Sequence, residues 1–298
     1  MALPPLYKYL SVEGARLTLG NNTFWHAKPS TFNDSEDLTV ASMFPGSLEA
    51  ALSDIVANLA DVILANLDKA STCPKLSMRQ TVAKLQAIFR SNPKAAAIFA
   101  KQLRDNPALL KLDVENVRSL AQSTIDGVNE FMQDYRVLCV TTHKDSEKMW
   151  SGYAEDHKGI ALRIQGNVAK DSKFQLFRSV TYRDARPTIY RDAIDFLVSS
   201  LFADQDASKL KMMNDIIYTK TLVWQEESEY RLVIHCGQGQ AIGEALKFHP
   251  EEITELYLGL AIANKDDVVG NARSLNPDIT IFQARRGEGG KLEFDRAD

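Results

Sequence analysis

One short run of the chain gathers the groups best suited to chemistry. It reads Lys220-Thr221-Leu222-Val223-Trp224-Gln225-Glu226-Glu227-Ser228-Glu229-Tyr230-Arg231-Leu232-Val233-Ile234. An extended backbone here puts Glu227, Glu229 and Arg231 on one face and Tyr230, Leu232 and Ile234 on the other, because successive strand side chains alternate. A carboxylate pair at that spacing suits acid–base work or stabilisation of a cation. The two carboxylates repel, which raises one pKa unless Arg231 or a cationic substrate neutralises them. The competing reading is a solvated strand start in which Arg231 pairs with Glu229, an arrangement worth little when exposed, and charged residues lie mostly at the surface.

Two further groups have chemical potential. Met149-Trp150-Ser151-Gly152-Tyr153-Ala154-Glu155-Asp156-His157-Lys158-Gly159 packs a Trp, a Tyr and a His before a strand. Aromatics ahead of a glycine-marked turn can wall a flat ligand such as a nicotinamide or adenine ring, and they can equally be residues at the edge of a core. Thr141 and Thr142 end a strand with two hydroxyls that can bond a ribose or simply shape a turn. His26, His143, His157, His235 and His249 show no HxxxH or HxH spacing, so a structural zinc is not expected. Carboxylates far apart in sequence can converge, which leaves Asp34, Glu36, Asp37, Glu227 and Glu229 open as a hard-metal set. The sequence has no Walker loop, dinucleotide glycine fingerprint or G-x-S-x-G elbow, which removes the P-loop, Rossmann and serine-hydrolase classes.

The elements that must position these groups are β-rich at both ends of the chain. Strands are expected at Leu6 to Leu10, Thr23 to Ala27, Val137 to Thr142, Gly159 to Ile164, Tyr230 to Cys236, Leu256 to Leu258, Ile279 to Ala284 and Lys291 to Phe294. Ser11 is a candidate cap for a short helix between the first two. From Ser47 to about Tyr135, apolar residues recur at helical spacing in four segments, and Pro93 and Pro107 stand where helices begin. Helices are also expected at Thr188 to Phe202 and Ser208 to Lys220. The expected architecture is α+β: a mixed, largely antiparallel sheet in a catalytic-type domain formed by residues 1–44 and 136–298, interrupted by a helical insertion at 45–135.

Composition narrows the class further. The 298 residues include 35 Lys plus Arg against 39 Asp plus Glu and are 45% hydrophobic, which fits a globular protein and neither a disordered nor a collagen-like chain. Cys73, Cys139 and Cys236 form no disulfide or zinc framework, so a reducing cytoplasm is the expected setting. No signal peptide or membrane-spanning run is apparent, and no membrane partner is expected. Between Lys75 and Lys111 eight basic residues face one acid, Asp105, a balance of +7. That stretch can hold nucleic acid or an acidic partner, or it can pack beside the preceding segment, which carries Glu49, Asp54, Asp61 and Asp68 against Lys69.

A set of short motifs runs in order along the chain: Tyr7-Lys8-Tyr9; Phe24-Trp25-His26-Ala27 with Pro29 and Phe32-Asn33-Asp34; Cys139; Met149-Trp150-Ser151-Gly152-Tyr153-Ala154; His157-Lys158-Gly159; then Lys220, Trp224, Glu227, Glu229 and Arg231; then Phe248, Pro250, Ile253 and Gly259. Together they resemble a bacterial domain-of-unknown-function family, number twenty-nine seventy-one. Ser35 and Thr141-Thr142 depart from its usual pattern, and the helical insertion matches nothing in it. The family name carries no activity.

A wider likeness is to ADP-ribosyltransferases, which use a residue on an early strand to orient NAD, a Ser/Thr-rich strand end, and a Glu-x-Glu at the start of a late strand. That resemblance implies NAD as the substrate, with ADP-ribosyl transfer to an unknown protein or nucleic-acid acceptor, or NAD hydrolysis, in a toxin or phage-defence effector. By motif, Lys8 or Tyr9 orients NAD, Thr141 and Thr142 form the strand end, and Trp150 or Tyr153 stacks the nicotinamide. Glu229 stabilises the ribosyl cation and holds its 2′-hydroxyl, while Glu227 aligns or deprotonates the acceptor. His157 and Arg231 join the NAD-binding set, Trp25, His26, Asn33 and Asp34 are further pocket candidates, and no metal is expected. The alternatives are a non-catalytic ligand- or partner-binding regulatory module, and a metal-dependent nuclease that uses the acidic loop, the Glu pair and the basic stretch.

Overall fold

Period-two alternation builds the sheet. In β1 (Leu6–Leu10) Leu6 joins one hydrophobic core while Tyr7 and Tyr9 join another, as expected of a strand covered on both faces. The computed structural model describes residues 3–110, 113–237 and 241–297. The following strands are β2 (Thr23–Ala27), β3 (Tyr135–Thr141), β4 (Ile160–Ile164), β5 (Arg178–Ser179) and β6 (Thr181–Arg183). After them come β7 (Thr219–Thr221), β8 (Glu229–His235), β9 (Gly243–Lys247), β10 (Ile253–Leu258), β11 (Thr280–Arg286) and β12 (Leu292–Arg296).

Among the described residues, ten strands form one sheet in the order β12-β11-β10-β4-β1-β3-β2-β9, with β8 paired to β3 and β5 to β8. β10 and β11 are parallel, and the helix Lys265–Leu275 lies between them in sequence, as a parallel crossover requires. The other pairs are antiparallel. The fold is therefore α+β with a mixed, largely antiparallel sheet. One core holds Leu6, Leu138, Leu162, Leu232 and Leu256 with Phe24, Phe174 and Phe248. The other gathers Tyr7, Tyr9, Ala161 and Tyr257 with Met149 and Trp150.

Local signals explain most element ends. Ser11 caps the helix Val12–Asn21 through Gly14 N, and Asn22 closes it in the left-handed region at φ 55°. Sequence periodicity does not reveal the helix Glu147–Tyr153: it is two turns long, and its start is marked by Ser146, whose side chain accepts from Met149 N. The helix Lys265–Leu275 and strand β9 are also unanticipated. No helix among the described residues is long and apolar enough to cross a membrane.

The chain divides into two units, one comprising Met1–Asp37, Phe131–Ala185 and Lys220–Asp298, the other Leu38–Glu130 and Arg186–Thr219. The second is helical. Its helices Leu48–Ala65, Leu76–Ser91 and Pro93–Asp105 bury Val56, Ala60, Ile63, Val82, Phe89, Ala100 and Leu103. Residues 186–219, grouped with the sheet on sequence grounds, fall in this unit because Leu197, Leu201 and Phe202 join the same core. Arg104 of the basic stretch forms an ion pair with Asp61 of the acidic helix, and Lys111 lies outside the described residues.

Two glycines test the packing in opposite directions. A Cβ on Gly259 would collide with the backbone carbonyl of His157, whereas one on Gly127, within the helix Val114–Met132, meets open space. Gly259→Ala is expected to cost about 2–3 kcal/mol and Gly127→Ala to gain about 0.5–1 kcal/mol, both read from urea unfolding midpoints.

Candidate functional site

The chain approaches the site through a helical turn, Leu222–Glu227, and leaves it along β8. Ser228, in the left-handed region at φ 43°, makes the join. Glu227 is thus the last residue of a turn, not part of an extended strand, so the expected alternation holds only for Glu229 and Arg231. The Ser228 kink nevertheless brings both carboxylates onto one ammonium. Lys220 Nζ donates to Glu227 Oε2 at 2.7 Å and Glu229 Oε2 at 3.0 Å, and stands 3.7 Å from Asp37 Oδ2. The solvated reading fails: Glu227 and Glu229 are 4% exposed and Arg231 is 0%.

Arg231 completes the cluster. Its Nε donates to Glu229 Oε1 at 2.7 Å, and one terminal nitrogen donates to Asp37 Oδ2 at 2.5 Å and Glu229 Oε2 at 3.1 Å, a charge-assisted fork that lysine could not reproduce. β3 supports β8 from beside it, with Cys139 opposite Arg231 and Thr141 opposite Glu229. Tyr182 Oη accepts from Glu229 N at 2.9 Å. Lys8 Nζ donates to the Cys139 carbonyl at 3.0 Å.

Burial and charge work against each other throughout the cluster. For Glu229, burial favours the neutral acid, but Arg231 and then Lys220 outweigh it and hold the carboxyl down at about 2. For Asp37, burial and the nearby Glu229 prevail over Arg231 and Lys220, so its carboxyl is pushed up. Burial opposes the charge on Lys220, yet Glu229, Glu227 and Asp37 raise its pKa. Lys8 is lowered by burial despite the neighbouring Cys139 and carboxylates. Cys139 is raised, chiefly by burial and then by Glu229.

The two glutamates differ in access. Both Glu229 oxygens are occupied by Arg231 and Lys220. Glu227 gives one oxygen to Lys220 and the other, at 2.7 Å, to the hydroxyl of half-buried Tyr153. That hydroxyl in turn accepts from Asn33 Nδ2 at 3.2 Å, and Asn33 is exposed. Burial, and then Glu227, raises the Tyr153 phenol above its ordinary value. A polar relay therefore runs from the surface at Asn33 to Glu227.

Several predicted site residues bond elsewhere. Trp150 is fully buried, donates to Lys144 O at 2.9 Å and stacks on His157 and Phe294, so it is a core residue with no face for a nicotinamide. His157 bonds Glu147 at 2.9 Å. Tyr9 donates to His143 O, and buried Thr141 accepts from His143 N, shaping that turn beside half-buried Thr142. His26 is buried, its Nδ1 3.0 Å from Phe24 O, and burial pulls its imidazole down to about 4. Trp25, half exposed, lies against Gly243, and Asp34 accepts from Glu36 N.

Sequence reasoning assigned no role to Lys220, Tyr182 or Cys139 and could not choose Asp37 from the acidic loop. Lys220 stands in the run already singled out, and a lysine seven residues before a Glu-x-Glu was the available signal. Of the five acids open as a hard-metal set, Asp37, Glu227 and Glu229 converge, but on Lys220 and Arg231. Among the described residues, no group of three or more His, Cys, Asp or Glu side chains forms a metal-holding set.

Removing the guanidinium by Arg231→Met leaves two buried carboxylates without it and is expected to cost about 3–5 kcal/mol, with Arg231→Lys restoring little in the same denaturation assay. The depressed Glu229 carboxyl stabilises fully above its ordinary value of 4.5, and that contribution disappears as pH falls toward about 2. Asp37, being raised, acts in the opposite sense, its contribution fading as pH climbs through its folded value. Unfolding free energy measured from pH 5 to 2 should consequently fall more steeply for the natural chain than for Glu229→Gln.

Neither a curated protein nor a solved structure matches the chain. A family described as Protein of unknown function (DUF2971) matches residues 149–232, a span that contains Tyr153, Lys220, Trp224, Glu227, Glu229 and Arg231. The segment that supplies most of the buried charge cluster is thus the part of the chain that is similar to the DUF2971 family.

Proposed function

We propose that the chain is an NAD-consuming ADP-ribosyltransferase or NAD glycohydrolase whose working carboxylate is Glu227, with Glu229 serving to hold Lys220 and Arg231. The observation that carries this reading is the asymmetry of the pair: Glu229 is saturated by cations, while Glu227 Oε1 faces Tyr153 and the Asn33 edge.

In this reading a ribose hydroxyl of NAD replaces the Tyr153 hydroxyl on Glu227 Oε1. The bond between nicotinamide nitrogen and ribose breaks, its electron pair neutralises the pyridinium, and positive charge develops on the sugar. Glu227 opposes that charge, as a fixed carboxylate in a water-poor site should. An acceptor nucleophile or water then attacks the anomeric carbon, forming the new bond to it and losing its proton to solvent. Asn33 and Tyr153 orient the sugar. Depletion of NAD in this way suits a toxin or phage-defence effector, a role that rests on the ADP-ribosyltransferase likeness.

A non-catalytic binding module is the second reading, favoured by the complete pairing of Glu229. One experiment separates the two: calorimetric titration with NAD alongside assay of released nicotinamide. The expected result is binding with turnover that falls about 10²- to 10³-fold in Glu227→Gln and about tenfold in Tyr153→Phe, with NAD affinity changed only a few-fold. Binding without nicotinamide release supports the module, and no binding at millimolar NAD overturns the NAD reading.

A further inference from the structure

With Trp150 buried, a second ring joins Tyr153 near the carboxylates, that of Trp224. It is half-buried on the turn Leu222–Glu227. Lys220 Nζ lies 4.9 Å from its ring centroid while donating to Glu227 at 2.7 Å, so a single nitrogen links the ring to the proposed working carboxylate. A second ammonium, Lys148 Nζ, lies over the same ring at 5.2 Å. The tethers of Lys148 are weak: Glu226, itself largely exposed, at 3.8 Å, and the Val223 carbonyl at 3.5 Å. Exposed pairs of this kind contribute little.

We propose that the Trp224 face covered by Lys148 is the seat of an aromatic cation, the pyridinium of oxidised nicotinamide, which displaces the Lys148 ammonium on binding. The assignment rests on the NAD reading for the identity of the cation and on the ring's two ammonium contacts for its charge. A pyridinium conserves the charge that Lys148 gives up, keeps the attraction to the ring's π-face, and adds flat stacking area that an ammonium lacks. A reduced, uncharged nicotinamide gains only the stacking.

The test uses the full chain and two probes, the 1-methylnicotinamide cation and neutral nicotinamide, each titrated by calorimetry. The cation is expected to bind about tenfold more tightly than the neutral ring. Trp224→Leu should remove most of that preference, while Lys148→Met, which deletes the competing ammonium, should tighten the cation several-fold. Equal affinity for the two probes, or an unchanged preference in Trp224→Leu, overturns the assignment, as does weaker cation binding in Lys148→Met. Trp224→Phe, which keeps a ring, should retain the preference and so shows that a loss in Trp224→Leu is not misfolding. The two proposals fail separately. Glu227-dependent nicotinamide release without any Trp224 effect sinks this one alone, and cation preference through Trp224 without nicotinamide release sinks the reaction alone.

Discussion

Everything around the site depends on burying Lys220 and Arg231 among three carboxylates. A buried charge is tolerated only when it is paired and hydrogen-bonded, and each member here is held by at least one other: Lys220 by Glu227 and Glu229, Arg231 by Glu229 and Asp37. These residues come from the loop before Leu38, from β7, from the following turn and from β8. Pairing them fixes separate segments of the sheet-bearing unit at one point. The left-handed Ser228 marks the join at which the turn's Glu227 and the strand's Glu229 both reach Lys220.

The same cluster shows how far the sequence was legible. Strands such as β1 and β4 and helices such as Pro93–Asp105 were readable because their signals are local: alternation in the first, a proline at the start in the second. Glu227, Glu229 and Arg231 stood out through type and spacing. Their burial did not, because it depends on Asp37 and Lys220, partners whose approach is set by the tertiary fold. Trp150 misled for a related reason. Its motif reads as an aromatic wall, but the Ser146 cap starts a short helix that turns the indole into the core with His157 and Phe294. A two-turn helix gives too few repeats for periodicity to detect.

Charge balance explains why one guanidinium leaves its two carboxylates in opposite conditions. Arg231 bonds both Glu229 and Asp37, yet Glu229 is held at about 2 and Asp37 is pushed up. Glu229 accepts from two cations through three bonds, whereas Asp37 shares one terminal nitrogen with it and feels Glu229 as a like charge. Neighbouring carboxyls whose environments drive them apart divide the labour of a site. Asp37 is the member disposed to take up a proton. When it does, two carboxylates face the two full cations, and the cluster is neutral without relying on Lys8, whose protonation burial disfavours.

That division bears directly on which acid can meet a ligand. An anion anchored on both oxygens cannot turn toward a substrate without releasing a buried cation, a cost comparable to breaking the pair itself. Glu227 carries no such obligation on Oε1, where its partner is a neutral phenol that a sugar hydroxyl can replace at nearly equal hydrogen-bond energy. The Glu-x-Glu spacing therefore reads here as one structural carboxylate and one exchangeable one. The residue nearer the strand is the more deeply committed, and the one on the turn, beside Tyr153 and Trp224, is the one with something to offer a ligand.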